Sequence, residues 1–570
     1  MIINYIKRLQ LIYAACGFKS AWLFYFSLIV ALILSISEAS FIGLVYTVVS
    51  NFFDSSDKLS SSFFLLSNYF DDKIKFQNFL LLTLICIAFL VAMLKIINLK
   101  INAYLFYKIN TLVSSYIFSN TLCLNLNFHQ KQNSSSLIST IITKSSSVGE
   151  ITFFLLGIIR SIAMLISITV MAVFLSSKIF LLYFFLILVI FFLAHKLIKS
   201  KMKKLGVVVA NENIKIVQSL QESYANIVLI IVHNVEKFFY NNFKKAVFNL
   251  RKSQGDIVFF SSLPYILINF FFIASVLILI YFFKESSPSL VAIVVVLLLA
   301  IQKLFPSFNE IFSNLSTIRS LSQNFKDTEI LLFKTSNEKR EVILEENVEF
   351  NNQIEFKNVY FKYESSKDFV LENINLSINK NSVVGILGKT GAGKSSLINL
   401  LVGFFLPSSG VILSDSHSIN IKNIFCWQKK ISIVPQSVML LDDTIEKNII
   451  FNNLKDEEKL NSCIKAACLE KMVDEFNQRS DNLIGENGKR ISGGQKQRIG
   501  IARAIYRDTD ILILDESFNN LDLKTKISVL NNIKNLKKTI IIISHDKSDL
   551  INCDTLLLIE NKSISRINSI

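Results

Sequence analysis

The sequence predicts two domains of different class, an all-α domain of six membrane-spanning helices followed by a soluble α/β domain. Three observations lead to this prediction. The 570 residues are 51% hydrophobic, and their mean hydropathy of +0.46 is high for a soluble protein of this size. The long apolar segments all lie before about residue 320. Beyond that point, short apolar strands alternate with helices around the glycine-rich stretch GKTGAGKS.

Six apolar segments are each long enough to cross the hydrocarbon core of a bilayer, which takes about 20 helical residues. A large soluble core does not require so many segments of this length. We therefore predict a transmembrane domain over residues 1–320, a charged linker over 321–350 and an α/β domain over 351–570. The predicted spans are 21–50, 76–107, 149–176, 179–199, 256–283 and 287–308.

Basic residues determine the predicted orientation, because loops rich in lysine and arginine stay on the cytoplasmic side. Such residues precede the first span and fill the segment between spans four and five. Both termini, the α/β domain and the polar segments 108–148 and 200–255 are therefore predicted to be cytoplasmic. The first external loop contains LSSSFFLLSNYF, residues 59–70, which suits either a short helix on the outer membrane surface or a loop packed on the bundle.

The net charge of +16 is explained by these basic cytoplasmic loops beside anionic lipid. No basic stripe is interleaved with exposed aromatic residues, so a nucleic-acid partner is not predicted. The seven cysteines are scattered without a CxxC pair, which argues against a disulfide framework and a zinc site.

The stretch GKTGAGKS, residues 388–395, lies between a predicted strand and a predicted helix, which is the context that a P-loop requires. Its glycines allow backbone N–H groups to turn towards nucleotide phosphates. Lys394 adds a positive charge, and Ser395 offers a hydroxyl to Mg²⁺. The predicted nucleotide-binding loop comprises Gly388, Lys389, Thr390, Gly391, Ala392, Gly393, Lys394, Ser395 and Ser396.

Two adjacent carboxylates end the apolar strand ILILDE, namely Asp515 and Glu516. A strand that delivers acids at its carboxyl end near a P-loop suits phosphoryl chemistry. Asp515 can hold the Mg²⁺ shell, and Glu516 can polarise an attacking water.

Between these motifs lies ISGGQKQR, residues 491–498, and here the sequence resembles the ATP-binding cassette (ABC) transporters of the exporter type. The resemblance extends over almost the whole chain, with the motifs in the family's order. It implies an exporter-type transmembrane domain fused to a P-loop NTPase cassette, with ATP and Mg²⁺ as cofactors. Two departures are Ile491, where leucine is usual, and SFNNLD in place of a loop of small residues.

The resemblance assigns further roles to single residues. Tyr363 matches the aromatic residue that stacks on adenine, and Gln436 matches the glutamine that contacts Mg²⁺ and the attacking water. Glu486 matches an acidic loop typical of exporters. Asp522 matches the aspartate that crosses to the partner cassette, and His545 matches the histidine that contacts the γ-phosphate. The implied catalytic residues are therefore Glu516, His545 and Gln436, and the implied metal ligands are Ser395, Gln436 and Asp515.

The resemblance also implies that ATP lies between the P-loop of one cassette and the signature of another, at Ser492, Gly493, Gly494 and Gln495. This chain has one P-loop and one signature, so we expect a symmetric homodimer. The stretches NFHQKQNSSSL around His129 and SYANIVLIIVHNVEKF, around 226–236, are the predicted contact segments that carry motion from the cassettes to the spans.

Three basic residues within the spans, Lys95, Arg160 and Lys303, are predicted to lie towards the cytoplasmic half of the bilayer. They can extend to inner-leaflet headgroups, or they can line a basic cavity for an anionic headgroup. Their surroundings and the aromatic external loop resemble bacterial flippases for lipid-linked oligosaccharides.

Three functions are compatible with these features. The first is ATP-driven flipping or export of an anionic lipid-linked oligosaccharide or another lipid in a bacterial inner membrane. The second is export of a peptide or drug. The third is an ATP-gated channel or sensor, against which the presence of Glu516 argues.

Overall fold

The computed structural model describes residues 2–18, 21–53, 73–174, 178–282, 288–337, 348–364, 366–478, 482–551 and 553–567. The chain divides into two compact units, of which the second comprises 125–127 and the residues from Arg340 onwards. The first unit is helical and the second is α/β.

Within its described residues, the first unit is built from six long α-helices and five short ones. A five-residue π-helix, Thr140–Lys144, precedes the third long helix. In chain order the α-helices are α1 Ile2–Ala15, α2 Ala21–Phe53, α3 Lys73–Leu122, α4 Leu126–Lys131, α5 Ser134–Ser139, α6 Ser147–Phe174, α7 Lys178–Ala225, α8 Ile227–His233, α9 Glu236–Phe282, α10 Pro288–Ser320 and α11 Ser322–Asn337.

Each of the six predicted spans falls on one long helix: α2, α3, α6, α7, α9 and α10. Among the described residues, three stretches are long and apolar enough to cross a membrane: Trp22–Val45, Leu81–Leu122 and Ser134–Met171. The helix α3 runs for 50 residues, well beyond the thickness of a bilayer. The predicted surface helix at 59–70 lies outside the described residues.

Close packing between α6 and α10 depends on small and polar side chains. A Cβ on Gly157 would lie 2.6 Å from the side-chain nitrogen of Asn314. One turn further along α6, the hydroxyl of Ser161 donates a hydrogen bond of 2.6 Å to Glu310. Two antiparallel helices can approach this closely only where one of them lacks a side chain at the contact. The sequence of α6 thereby fixes its alignment with α10.

The helix α11 lies within the stretch that was predicted to be a linker. Its apolar residues Phe325 and Leu332 are fully buried in the core of the first unit. Its acidic residues have basic partners: Asp327 pairs with Lys144 of the π-helix at 2.5 Å, and Glu329 accepts a hydrogen bond of 2.7 Å from Arg8. The first part of the predicted linker is thus a packed helix, whereas the charged run 338–346 lies outside the described residues.

The described part of the second unit contains two sheets. A four-stranded antiparallel sheet has the order β2-β1-β4-β5, and a six-stranded sheet has the order β10-β9-β3-β8-β7-β6. In the larger sheet, β9, β3, β8, β7 and β6 run parallel and β10 is antiparallel. The strands are β1 Gln353–Phe361, β2 Leu371–Asn379, β3 Val383–Gly388, β4 Ser409–Ser414, β5 His417–Ser418, β6 Ile431–Val434, β7 Ile511–Asp515, β8 Thr539–Ser544, β9 Thr555–Glu560 and β10 Ser563–Ile567.

Helices cover both faces of the larger sheet, which explains its continuous apolar strands. All six residues of β8 are buried, and so are the first four of β7. The α-helices of this unit are α12 Lys394–Leu401, α13 Ile424–Lys429, α14 Ile445–Ile450, α15 Glu457–Ala466, α16 Glu470–Asn477, α17 Gly493–Tyr506 and α18 Leu523–Lys534. Short 3-10 helices cover Glu486–Gly488 and Lys547–Asp549.

Candidate nucleotide-binding and catalytic site

Several of the predicted site residues lie at one edge of the six-stranded sheet. In an open parallel sheet, ligands bind at the carboxyl ends of the strands. The P-loop follows β3, Gln436 follows β6, Asp515 and Glu516 end β7, and His545 follows β8. Because these four strands are adjacent and parallel, their ends meet at the same edge.

The P-loop joins β3 to α12 through glycines in conformations that other residues rarely adopt. Gly391 and Gly393 have φ values of 84° and 104°, in the left-handed region. The ammonium of Lys394 is folded back onto the loop and donates a hydrogen bond of 2.5 Å to the carbonyl of Gly388. Lys394 is also buried, at 8% exposure. The loop is therefore formed around its lysine, while Lys389, Thr390 and Ser395 remain exposed.

Tyr363, the predicted adenine-stacking residue, lies against the first turn of α12. Its hydroxyl and that of Ser396 are 2.9 Å apart and share a hydrogen bond. Edge contacts with Phe361 and Phe405 hold the ring, at centroid distances of 4.9 and 5.4 Å. The aromatic residue is thus positioned next to the P-loop by side chains from two other elements.

Asp515 and Glu516 have different surroundings although they are adjacent. Burial raises the pKa of Asp515, and the neighbouring charge of Glu516 raises it further, whereas Lys394 acts in the opposite direction. A carboxylate in this situation is stabilised by an additional cation. Ser395, Gln436 and Asp515 provide a hydroxyl, an amide and a carboxylate, and oxygen ligands of these kinds suit Mg²⁺.

Glu516 lies at the centre of a polar cluster. Its carboxylate oxygen Oε2 accepts hydrogen bonds from the side-chain amides of Gln436, at 2.8 Å, and Asn519, at 3.1 Å. Its Oε1 lies 3.7 Å from Nδ1 of His545. The structure therefore brings Gln436, Glu516 and His545 together, as the implied catalytic roles require. Sequence analysis missed Asn519, which belongs to SFNNLD, the loop that differs from the small-residue loop usual in the family.

The backbone of Glu516 is unusual for a residue with a side chain. Its φ of 48° lies in the left-handed region, which costs energy for a residue other than glycine. Strain of this kind is often found at functional sites. Here it occurs at the residue on which the two amides and the histidine converge.

The signature segment begins the helix α17 with a reciprocal cap. Ser492 is the N-cap, and its hydroxyl accepts a hydrogen bond of 3.2 Å from the backbone N–H of Gln495. The side chain of Gln495 in turn accepts a hydrogen bond of 2.8 Å from the backbone N–H of Ser492. This capping box fixes the start of a 14-residue helix, where backbone N–H groups can bind an anion.

The signature glycines pack against the loop that follows Glu516. A Cβ on Gly494 would lie 2.5 Å from the backbone oxygen of Asn520, and a Cβ on Gly493 would lie 3.4 Å from the side chain of Asn520. The backbone N–H of Asn520 donates a hydrogen bond of 3.3 Å to Gln497 of α17. The second glycine is therefore required by close contact with Asn520, a second residue that sequence analysis did not single out.

Two further residues implied by the resemblance have other partners. Asp522 is the N-cap of α18 and accepts a hydrogen bond of 3.0 Å from the backbone N–H of Thr525. Hydrogen bonding from Thr525 lowers the pKa of Asp522. Glu486 is exposed and pairs with Lys489, whose hydrogen bond lowers the pKa of that carboxyl group.

The basic residues predicted for a cargo cavity have acidic partners where their side chains are described. Nζ of Lys95 lies 2.5 Å from Oε1 of Glu38, and Arg160 pairs with Glu310. Lys303 belongs to α10, but its side chain lies outside the described part. Sequence analysis missed both acids, although Glu38 is the single charged residue of predicted span 21–50.

Comparisons with known families and structures match both units. The family model for the ABC transporter transmembrane region matches residues 21–307, and that for the ABC transporter matches residues 371–519. A bacterial Atm1-family ABC exporter with ATP bound has the same fold, with a TM-score of 0.78 at 19% identity over 95% of this chain and 94% of that one.

Curated relatives are similar over a shorter region. A Rickettsia typhi protein, provisionally named an export ATP-binding/permease protein, is 42% identical over 37% of this chain and 37% of its own length. The ATP-dependent lipid A-core flippase of Idiomarina loihiensis is 36% identical over 37% of each chain. The alpha-hemolysin translocation ATP-binding protein HlyB of Escherichia coli is 35% identical over 38% of this chain and 31% of its own length. The similarity thus covers less than two fifths of each of these relatives.

Proposed function

Because this chain belongs to the ABC transporter family, with an exporter-type transmembrane domain before its cassette, we propose that it couples ATP hydrolysis to the translocation of a lipid-linked anionic substrate. The proposed site of action is a bacterial inner membrane, with the cassette and both termini in the cytoplasm. ATP is the proposed fuel and Mg²⁺ the proposed cofactor.

The observation that supports hydrolysis is the cluster around Glu516. Two amide groups donate to one carboxylate oxygen and His545 approaches the other. A general base must be held within reach of the water that it polarises, and these contacts hold Glu516. Lys394, in the P-loop, is available to compensate phosphate charge.

The test compares Glu516→Gln with wild type in purified protein. The variant should bind ATP with unchanged affinity but lose steady-state hydrolysis, because the amide cannot serve as a base. Glu372→Gln is the matched control, since Glu372 pairs with Lys562 at 2.9 Å on the surface of the same unit. Hydrolysis by Glu516→Gln at near the wild-type rate would remove Glu516 from this role. An ATP-gated channel or sensor that does not hydrolyse ATP would show no turnover even in wild type.

We also propose that two copies of the chain form the working transporter. A nucleotide between a P-loop and a signature segment requires two cassettes, and the chain has one of each motif. Exposed apolar residues on α8 support this, because a single chain leaves them uncovered: Val228 is 67% exposed, Ile231 60% and Val232 66%. Apolar residues concentrated in a short helix are typical of a contact surface.

Mixed dimers test the homodimer. Chains with Ser492→Arg and chains with Lys394→Ala are each expected to be inactive alone. When they are co-expressed with different tags and purified as a mixed dimer, one composite site contains neither change. ATP-dependent cross-linking of the two cassettes should return in the mixed dimer. Its absence there, with cross-linking intact in wild type, would contradict sites formed between two copies.

The proposed cargo is a lipid whose headgroup carries phosphate. Lys95 supports this because its side chain is 49% exposed, whereas charged residues within a membrane span are usually hidden unless they are functional. The replacement Lys95→Gln with Lys303→Gln should reduce flipping of a fluorescent polyprenyl-phosphate lipid in proteoliposomes while basal ATP hydrolysis persists. Unchanged flipping would mean that the two lysines only extend to headgroups of the bilayer.

A drug or apolar peptide is the second candidate cargo. An open groove of about 570 Å³ lies between α2 and α6 and has an almost wholly apolar lining, which includes Leu32, Ile36, Ile162 and Ile166. Stimulation of ATP hydrolysis separates the two candidates. If dyes or peptides stimulate hydrolysis and polyprenyl phosphates do not, the second cargo class replaces the first.

A further inference from the structure

A carboxylate within the first predicted span contacts Lys95, which was predicted to line a cavity for an anionic headgroup. Glu38 is only 4% exposed, in the middle of the apolar helix α2. Its Oε1 lies 2.5 Å from Nζ of Lys95 on α3. Its other oxygen, Oε2, is buried and has no hydrogen-bond partner within the described part of the chain.

The second acid that pairs with a predicted cavity residue has partners at both of its oxygens. Glu310 uses one oxygen for Arg160 and the other for the hydroxyl of Ser161. Buried carboxylates are normally satisfied at both oxygens, because a charge without partners is costly in a medium of low dielectric. Glu38 differs from Glu310 in keeping one oxygen without a donor.

Neighbouring polar groups on the same seam do not supply that donor. Ser27 of α2 donates to Asn102 of α3 at 2.7 Å, with Asn98 3.4 Å away. All three side chains are buried. They contact each other between α2 and α3, and Glu38 lies about three turns further along α2 from Ser27.

The two members of the pair are unequally accessible. The Lys95 side chain is 49% exposed, whereas that of Glu38 is 4% exposed. An anion that arrives from outside the pair can therefore reach the ammonium, while the carboxylate occupies it from the buried side. In the absence of another anion, Glu38 neutralises Lys95.

We propose that Glu38 is a built-in counter-ion that the phosphate of the cargo replaces at Lys95, and that Glu38 then accepts hydrogen bonds from donors next to that phosphate. This inference rests on the proposed function, in which the cargo is a phosphate-bearing lipid. It makes Glu38 a residue that determines specificity.

The chemistry of the displaced carboxylate restricts the cargo. When the phosphate replaces Glu38 as the partner of the Lys95 ammonium, both oxygens of Glu38 need hydrogen-bond donors, because a buried carboxylate without partners is strongly destabilising. The Oε2 atom already lacks one. A bare phosphate offers no donors when it is ionised, whereas sugar hydroxyls or an ammonium group beside the phosphate do. The site thus favours glycosylated or amine-bearing lipid phosphates over bare ones.

The experiment measures the ATPase activity of the full-length protein in nanodiscs with two lipids. Undecaprenyl phosphate supplies phosphate alone, and a glycosylated undecaprenyl phosphate adds hydroxyls beside it. In wild type, the glycosylated lipid should reach half-maximal stimulation at about a tenfold lower concentration, the effect of one hydrogen bond to a charged group. In Glu38→Gln, no buried charge needs hydrogen-bond donors. The half-maximal concentration should therefore fall most for the bare lipid, and the two lipids should then differ by less than about threefold.

Glu212→Gln is the matched control. Glu212 is also a buried acid with a more exposed lysine partner, Lys215 at 2.7 Å, but it lies in the predicted cytoplasmic extension of α7. It should keep the wild-type preference between the lipids. The exchange Glu38→Lys with Lys95→Glu keeps an ion pair, yet it buries the ammonium and exposes the carboxylate. It should keep thermal stability close to that of wild type but lose the response to lipid phosphate.

The outcomes separate the inference from the function on which it rests. If wild type responds to the lipids and Glu38→Gln keeps the wild-type ratio, or if the exchanged pair keeps the wild-type lipid response, Glu38 only connects two helices and the inference is overturned. If wild type responds to neither lipid and flips neither, the proposed cargo class is wrong and the inference fails with it. A selective gain for the bare lipid in Glu38→Gln supports it.

Discussion

The pair between Lys144 and Asp327 allows a quantitative test of how the helix α11 is held. Lys144 is 2% exposed and its ammonium lies 2.5 Å from Oδ2 of Asp327. The other oxygen of Asp327 accepts a hydrogen bond of 2.7 Å from Gln323. We consider the replacement Asp327→Asn, which keeps the shape of the side chain and removes its charge.

The expected cost follows from what remains after the replacement. Breaking a buried ion pair by removing one partner typically costs about 3–5 kcal/mol, because the other charge stays buried without compensation. Asp327 itself is 26% exposed, so water can reach part of the site and the lower value applies. A cost of about 3 kcal/mol corresponds to about a hundredfold shift in a local opening equilibrium.

Hydrogen–deuterium exchange of α11 measures that equilibrium. Amides in the segment 322–337 should exchange about a hundredfold faster in Asp327→Asn than in wild type. The double replacement Lys144→Met with Asp327→Leu should return exchange close to wild type, since apolar residues of similar volume often replace a buried pair at no cost. Asp443→Asn, which disrupts an exposed pair in the other unit, should leave α11 unchanged. Exchange in Asp327→Asn within threefold of wild type would refute the reasoning.

Three further predictions concern the cassette. Gly494→Ala should abolish ATP turnover but retain ATP binding, because the new Cβ would lie 2.5 Å from the backbone oxygen of Asn520; a wild-type rate would contradict this contact. Asn519→Ala should lower kcat by about three- to tenfold, since one hydrogen bond of 3.1 Å to Glu516 is lost, and an unchanged kcat would exclude a positioning role. Asp415→Asn should destabilise the cassette near pH 7, and the difference from wild type should shrink as the pH falls through 3.8, the ordinary pKa of an aspartate side chain, towards pH 3. Burial acts to raise the pKa of Asp415, but backbone N–H groups of 351–353 outweigh it and lower the pKa. Stability from a carboxylate with a lowered pKa is present above its unfolded pKa and is lost as the pH falls through the folded one. Thermal unfolding of both proteins across this range checks the sign, and a constant difference down to pH 3 would show that the charge is not involved.

The cassette was largely predictable because its motifs are local. A strand, a glycine-rich loop and a helix are specified by consecutive residues, so the P-loop could be located without its surroundings. The carboxyl ends of parallel strands meet at one edge by geometry. The resemblance implied one catalytic site for Gln436, Glu516 and His545, and this edge is where the structure brings them together.

Contacts made by irregular loops were not predictable in this way. Asn519 and Asn520 lie in a loop without hydrophobic periodicity, and nothing local indicates that one donates to Glu516 and the other limits the side chain at Gly494. The sequence signalled only a departure from the usual loop of small residues. Its consequence depends on how closely α17 approaches the loop after β7, which is a property of the packed domain.

The helix α11 was missed for a related reason. Its acidic residues pair with basic residues that are distant in sequence, so the sequence alone does not show that they are paired. Asp327 and Lys144 are separated by 183 residues, and Glu329 and Arg8 by 321. A charge run can belong to a linker or to a packed helix, and only the basic residues that approach it decide between them.

The acids that face Lys95 and Arg160 change how a cation in a span should be interpreted. A free cation in a medium of low dielectric attracts any anion over a long distance. A cation with a carboxylate in contact presents a dipole, whose field decreases more steeply with distance. An anion must then approach closely enough to replace the carboxylate before it gains energy, and the displaced carboxylate must find donors. At such a site, the hydrogen-bond donors of a headgroup decide between lipids that carry the same charge. The sequence shows the positive residues, but the proposed selectivity depends on Glu38, whose contact with Lys95 forms only when the helices are packed together.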